Sequence, residues 1–358
     1  MIKNRLFWPV ALLGALLLAN LIFRPGFFAL RMQDGHLFGS LIDILRFGAP
    51  LMIVALGMTL VIATGGIDLS VGSVFAIAGA LACLHISGSS SPESLGTVFT
   101  AVAIAIGVCL VLGLWNGMLV SRFGVQPIIA TLVLMVAGRG VALLITGGQT
   151  ITITSAPYKF FGSGYVATLP FSILLALAMV AIVALLTRRT ALGLLIESVG
   201  GNEEASRLVG IRARGLVAGV YVLSGLCAAV AGILVSSSVT AADGNNAGVF
   251  LELDAILAVV IGGTALTGGR YSLAGSVIGV LIIQTLTTTI YAMGIPPTSI
   301  LVVKAVVVTV VCLVQSPAFR SKVFGRWGRP RTKDQPSVPT ESGTANGTTG
   351  NSKAEVPA

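Results

Sequence analysis

The chain has 358 residues, of which 55% are apolar and only 10% charged, with 44 glycines and a formal net charge of +9. A soluble domain carries roughly 25% charged residues, so this composition excludes an ordinary globular enzyme and describes a chain dissolved in lipid. The positive balance does not point to nucleic acid, because basic and aromatic residues are nowhere interleaved on one face outside a single tail.

A membrane helix needs roughly 20 mostly apolar residues to cross a hydrocarbon core about 30 Å thick. In chain order, ten stretches approach that requirement: 6–29, 48–65, 69–87, 95–121, 127–147, 170–187, 216–237, 253–267, 272–292 and 298–316. Lys3 and Arg5 precede the first, as in a signal peptide. The run continues through Asn20, Phe23 and Pro25 without a small-residue cleavage site, and is expected to be a retained span. The stretch 69–87 opens near Asp68 and Ser70 and contains Gly72 and Gly79, while 253–267 is short. Both are candidates for re-entrant segments, which survive at membrane depth only where protein or a cavity satisfies their backbone. The expectation is an all-α polytopic membrane protein with eight to ten crossings.

Lys and Arg set the orientation. With the amino end inside, sixteen of the 22 basic residues fall on the inner side and four (Arg24, Arg31, Arg46 and Lys159) on the outer side, leaving Arg139 and Lys304 within spans. Both termini are therefore expected in the cytoplasm. Residues 1–316 form the transmembrane domain. Residues 317–358 read as a basic, then Pro/Ser/Thr/Gly/Asn-rich cytoplasmic tail, expected to be disordered and to lie against anionic lipid in its first half.

The longest polar interruption on the inner side is 187–215. Within it, Asn202 caps a short helix with Glu203 and Glu204 in its first turn, followed by Ala205, Ser206, Arg207, Leu208 and Val209, and stopped by Gly210. Charge and capping leave two readings open, a solvated connector and a rigid knob that docks into a partner. Ionisable and amide groups at membrane depth are costly and mark pathways or helix contacts. Asp68, Asn116, Gln126, Arg139 and Gln284 are the candidates, with Arg139 expected to face inward. Lys304, near the end of its span, is expected to extend its amine to the headgroups. In the outer loops 148–169 and 238–252, Lys159, Asp243 and Glu252 are candidate rim charges for a docking partner.

Catalytic constellations do not emerge. There is no G-x-S-x-G elbow, no H-E-x-x-H and no P-loop, so any ATP must be bound by another chain. Cys83, Cys109, Cys227 and Cys312 lie in apolar stretches and read as buried hydrophobes. His36 and His85 have no ligand company, and no metal site is expected.

Six segments together resemble one family: GMTLVIATGGIDLSVGS (57–73), GLWNGMLV (113–120), PIIATLVLMVAGRG (127–140), GNEEASRLVGI (201–211), YVLSGLCAAVAGI (221–233) and LDAILAVVIGGTALTGG (253–269). The chain is similar to permease subunits of sugar-importing ATP-binding-cassette transporters, the ribose/galactofuranose branch. Residues 33–40 and 243–248 resemble the galactofuranose type more closely. The resemblance implies the importer permease fold of about ten transmembrane helices in a bacterial inner membrane. It also implies a second permease, identical or homologous, a periplasmic sugar-binding protein, and a cytoplasmic ATP-binding subunit that holds the ATP and Mg²⁺ this chain lacks. It gives Asn202 through Val209 the role of coupling helix. Without the resemblance, an ATP-independent carrier or channel remains the alternative. Tyr271 after the GGR, where a small residue is common, and the long polar tail depart from the family pattern.

Overall fold

The computed structural model describes residues 3–23, 26–33 and 35–294, with Ser299, Val302, Lys304, Ala305, Val306 and Thr309 beyond them. The chain divides into two units, Met1–Gln315 and Ser316–Ala358. The second unit, which contains the expected tail, lies outside the described residues, as does most of the stretch 298–316 and Cys312.

Twelve helices are described: α1 (Lys3–Phe23), α2 (Ser40–Ala63), α3 (Val71–Ser87), α4 (Leu95–Ser121), α5 (Pro127–Thr146), α6 (Ala156–Ser163), α7 (Phe171–Arg189), α8 (Leu192–Gly201), α9 (Glu203–Leu208), α10 (Ala213–Val239), α11 (Leu251–Ile261) and α12 (Leu273–Ala292). Three two-stranded antiparallel pairs join them: β1 (Arg31–Gln33) with β2 (His36–Phe38), β3 (Ile151–Thr152) with β6 (Ala241–Ala242), and β4 (Tyr165–Val166) with β5 (Leu169–Pro170). Six helices, α2, α4, α5, α7, α10 and α12, are long and apolar enough to cross a membrane, and α1, α3 and α8 are shorter apolar helices.

The long helices form two classes. In α2 78% of the apolar window is buried and in α10 61%, against 22% in α4 and 28% in α5. The first two are therefore the centre of the bundle, and the last two present most of their surface outward. Close approach around α10 depends on small residues, as membrane helices require when lipid supplies no hydrophobic drive between them. A side chain on Gly57 would stand 2.8 Å from the Ser224 Cα, and one on Gly113 would stand 2.7 Å from the Tyr221 carbonyl oxygen.

Several expected boundaries move. α2 begins at Ser40 rather than near 48, because Ser40, Asp43 and Arg46 keep the first turns polar without breaking them. α1 ends at Phe23, and the residues toward 29 lead instead into the β1–β2 hairpin. The stretch 253–267 is not a span. Its helix, α11, has 11 residues and is about 17 Å long, roughly half a hydrocarbon core. The 17-residue α3 is preceded by a coil, 64–70, that folds back against the middle of α10 through Asp68 and Ser224. Its partner segment, 243–250, likewise returns into the bundle, so that Gly72 at the start of α3 touches the Gly248 carbonyl and the Glu252 carboxylate. Two interrupted elements thus meet with the amino ends of α3 and α11 side by side.

Candidate functional site

One end of the bundle carries Arg188, Arg189, Arg207, Arg212 and Arg214, all exposed, and α9 projects there. Asn202 is extended and its side chain accepts a hydrogen bond from the Ala205 N–H at 2.9 Å. Glu203 and Glu204 complement the positive end of the helix dipole. Gly210, at φ +88°, closes the helix in the left-handed region, with its N–H donating to Arg207 O and that of Ile211 to Ser206 O, both at 3.0 Å. Only Ser206 of Asn202–Val209 is buried. The tip is apolar: Leu208 is 87% exposed and Val209 77%, values no solvent would favour for such side chains unless another surface covers them. Their consecutive apolar character after Arg207 was the available signal.

The knob is anchored by backbone contacts. The Gly269 N–H donates to the Ala63 carbonyl at 2.9 Å, joining the end of α2 to the turn 262–272. Gly200, at the end of α8, lies against that same carbonyl and would put a side chain 2.7 Å from the Gly269 nitrogen; Gly268 is equally close to Gly200 O. A Cβ at Gly200 or Gly268 would force these three segments apart. α9 therefore extends from a junction of α2, α8 and the α11–α12 turn.

Directly beyond α2 sits a buried polar cluster. Asp68 Oδ1 accepts from the Ser70 N–H at 3.0 Å and from Ser70 Oγ at 2.6 Å, and Oδ2 accepts from Ser224 Oγ at 2.8 Å. Asn116 Nδ2 donates to Ser70 Oγ at 2.9 Å. Asn116 Oδ1 and the Tyr221 hydroxyl are buried without a hydrogen-bond partner among the described residues. Of the candidate pathway residues, Asp68 of the coil 64–70 and Asn116 of α4 are thus brought together through Ser70. Gln284 packs its Cβ and Cγ toward Gly48 on α2. Gln126 is exposed and caps α5 through its backbone carbonyl, so it does not lie between helices.

At the opposite end, Arg139 of α5 donates to Ala247 O at 2.5 Å and Gly244 O at 3.3 Å, binding the returning segment 243–250. Asp243 is not a free rim charge. Its carboxylate accepts from Asn246 Nδ2 at 2.7 Å and from the Asn245 and Asn246 N–H groups. The Asn246 side-chain bond, first among these, holds its carboxyl below the usual carboxylate value. Glu252, in the first turn of α11, is half-buried with its carboxylate against Gly72 at the start of α3. After β6 the chain turns back toward the bundle, which brings Glu252 against α3, while the bonds of Asp243 stay within its own exposed loop. Lys159, on α6, is exposed. α6 itself is fixed by Ser155 Oγ donating to Pro92 O, by Glu93 accepting from the Ala156 N–H, and by Tyr158 bonded to Ser236. Lys304, expected to reach the headgroups, instead pairs with Asp254 of α11 at 2.5 Å. A cavity of about 250 Å³ opens at this end between α3 and α10, lined by Phe75, Gly79, Val235, Ser236, Asp243 and Asn246 among others. His36 stacks on Tyr165 and His85 bonds Thr100; among the described residues, no group of three or more His, Cys, Asp or Glu is placed to hold a metal.

This arrangement has counterparts. Residues 40–312 match the family described as branched-chain amino acid transport system / permease component. The chain is 51% identical over 337 residues to the galactofuranose transporter permease protein YtfT of Escherichia coli, covering 92% of this chain and 96% of that protein. It is 42% identical to the fructose import permease protein FruF of Bifidobacterium longum, over 88% of this chain and 89% of that one. With the ribose import permease protein RbsC of Bacillus subtilis it shares 38% identity, over 77% and 84%. No solved structure matches. The chain belongs to this permease family: it is a multi-pass membrane protein and a transport subunit.

Proposed function

We propose that this chain is the membrane half-channel of an ATP-binding-cassette importer that carries a monosaccharide, galactofuranose-like or ribose-like, across a bacterial inner membrane. The arginine-rich end, with both termini, faces the cytoplasm, in keeping with the excess of basic residues there. α9 is the coupling helix, received by the groove of an ATP-binding subunit that holds ATP and Mg²⁺. A second permease, identical or homologous, completes the path. A periplasmic sugar-binding protein delivers the sugar to the opposite end, where α6 presents Lys159.

The observation that carries this reading is α9 itself: an apolar tip, rigidly capped, fixed through Gly200 to the end of α2 and so to the Asp68 loop. Nucleotide binding in the partner would move the tip, and the junction would pass that displacement to α2, α11 and α12. Such a shift requires only that the partner's two states bind α9 with different affinity. An ATP-independent carrier is less well supported, because the membrane-depth charges Arg139, Asp254 and Lys304 are engaged with backbone carbonyls or with each other.

The test is reconstitution of the complex in proteoliposomes. Leu208→Asp with Val209→Asp is expected to release the ATP-binding subunit and abolish uptake, since buried apolar anchors dominate interface energy. Replacing Glu203, Glu204 and Arg207 together by Ala is expected to cost less, mainly in association rate. Sugar accumulation by the permease without any ATP-hydrolysing partner overturns the reading.

A further inference from the structure

A second cavity, of about 210 Å³, lies at the arginine-rich end between α7, α8 and α10. Its floor is Leu60 of α2, and Val183, Leu192, Ile196, Gly219 and Leu223 form its walls. On α10 it extends from Gly215 to Leu223, about 12 Å at 1.5 Å per residue. Gly215 and Gly219, one turn apart, create the depth, since a side chain at either would meet nothing within 4 Å. Gly215, Gly219, Leu192 and Leu186 are all exposed, so the groove opens sideways, toward lipid. Its chemistry is that of a hydrocarbon slot.

Charge identifies what belongs in it. Arg188 follows Thr187 of the groove wall, and Arg214 precedes Gly215. Arg188 and Arg189 close α7, where cations suit the helix dipole, but Arg212 caps α10 and Arg214 lies in its first turn, where they do not. α10 has no acidic residue in that turn. Among the described residues, none of these arginines has a carboxylate within ion-pair distance. Arg188 and Arg214 each adjoin a lining residue of an apolar slot, with Arg189 and Arg212 close by along the chain, and the two on α10 oppose its dipole, so this end of the slot suits an anion from outside the chain.

We propose that this groove binds one anionic phospholipid, with an acyl chain along Gly215, Gly219 and Leu223 and its phosphate on Arg188, Arg189 and Arg214. Leu192 and Ile196 belong to α8, whose far end is the Gly200 junction that carries α9. The lipid therefore braces the coupling helix from behind. The site depends only on the chain's place in a membrane and stands whether or not α9 docks an ATP-binding subunit.

The test extracts the full complex from membranes containing phosphatidylglycerol and phosphatidylethanolamine, and identifies by mass spectrometry the lipids that survive gel filtration. The wild type is expected to retain phosphatidylglycerol selectively. Arg188→Gln, Arg189→Gln and Arg214→Gln should weaken retention roughly fivefold each, and lysine at the same three positions should restore most of it. Gly219→Leu, whose Cβ meets nothing within 4 Å, should expel the lipid with every arginine in place and leave the complex assembled. Equal retention of the two lipids by the wild type, or undiminished phosphatidylglycerol in Gly219→Leu, overturns the proposal. So does a Gly219→Leu variant that loses a second protein chain and no lipid.

Discussion

Asp68 is 3% exposed; two of its hydrogen bonds order the coil through Ser70, and the third joins that coil to Ser224 in the middle of α10. A buried acceptor of this kind is worth more for the donors it satisfies than for its own bonds: without it, the Ser70 N–H and the Ser224 hydroxyl are stranded. Asp68→Ala is expected to cost about 2–4 kcal/mol, read as a fall of roughly 5 °C or more in the melting temperature of the solubilised complex. Ser224→Ala should cost about half as much. An unchanged melting point for Asp68→Ala would show that the cluster does not hold the coil. Asp243 behaves differently with pH. Its carboxyl titrates below the ordinary value of 3.8, chiefly through Asn246, so its contribution to the order of 243–250 is complete above that value and lost as pH falls through the lower folded one. Amide protection factors in this loop, corrected for the intrinsic pH dependence of exchange, should therefore be flat from pH 8 to about 5 and fall only in stronger acid. Asp68 and Asn116 were legible in the sequence as costly groups at membrane depth. That they share Ser70 was not, because the contact is made by a coil that re-enters the bundle, and hydropathy carries no record of depth.

At the scale of elements, the end of α8 packs directly on the end of α2 because Gly200 admits the Ala63 carbonyl where any side chain would stand. Gly200→Ala inserts a methyl into a backbone contact, an overpacking that costs about 1–3 kcal/mol. It should lower sugar transported per ATP hydrolysed by roughly two- to thirtyfold, the usual range for residues that carry coupling between sites. Gly201→Ala is the internal control, since its Cβ meets nothing within 4 Å. Equal coupling ratios in the two variants would remove Gly200 from the transmission path. Asn202, the two glutamates and Gly210 announced α9 locally, as caps and stops do. The half-length of α11 was likewise visible as a shortfall of apolar residues. The eight-residue α6 was not anticipated, although Ser155 followed by Pro157 is a helix-start pattern; inside a loop, the hydropathy that marks spans is silent.

Among the described residues, a bundle of long helices is joined by two shorter ones, α3 and α11, whose amino ends meet through Gly72, Gly248 and Glu252. Helix ends concentrate motion, because their free backbone groups can exchange partners where a continuous helix cannot. What holds α11 is the pair Asp254–Lys304, with the two side chains 25% and 14% exposed. A half-buried pair is weak evidence of stability in itself, yet loss of one member leaves a poorly compensated charge. Lys304→Met is therefore expected to destabilise the complex by about 2 kcal/mol, less than for a fully buried pair because both groups keep some contact with their surroundings. Asp254→Leu alone should be similarly harmful, since it strands the ammonium group. The double variant, with no charge left to strand, should recover most of the loss, giving a coupling energy of about 2–3 kcal/mol in a double-mutant cycle. If the pair also restrains α11 during transport, the double variant will melt near the wild-type temperature and yet hydrolyse ATP faster without sugar, because the half-helix then moves without displacing an ion pair. Additive losses across the cycle would mean that Lys304 and Asp254 act separately, and that α11 is held by its packing against α12 and α2.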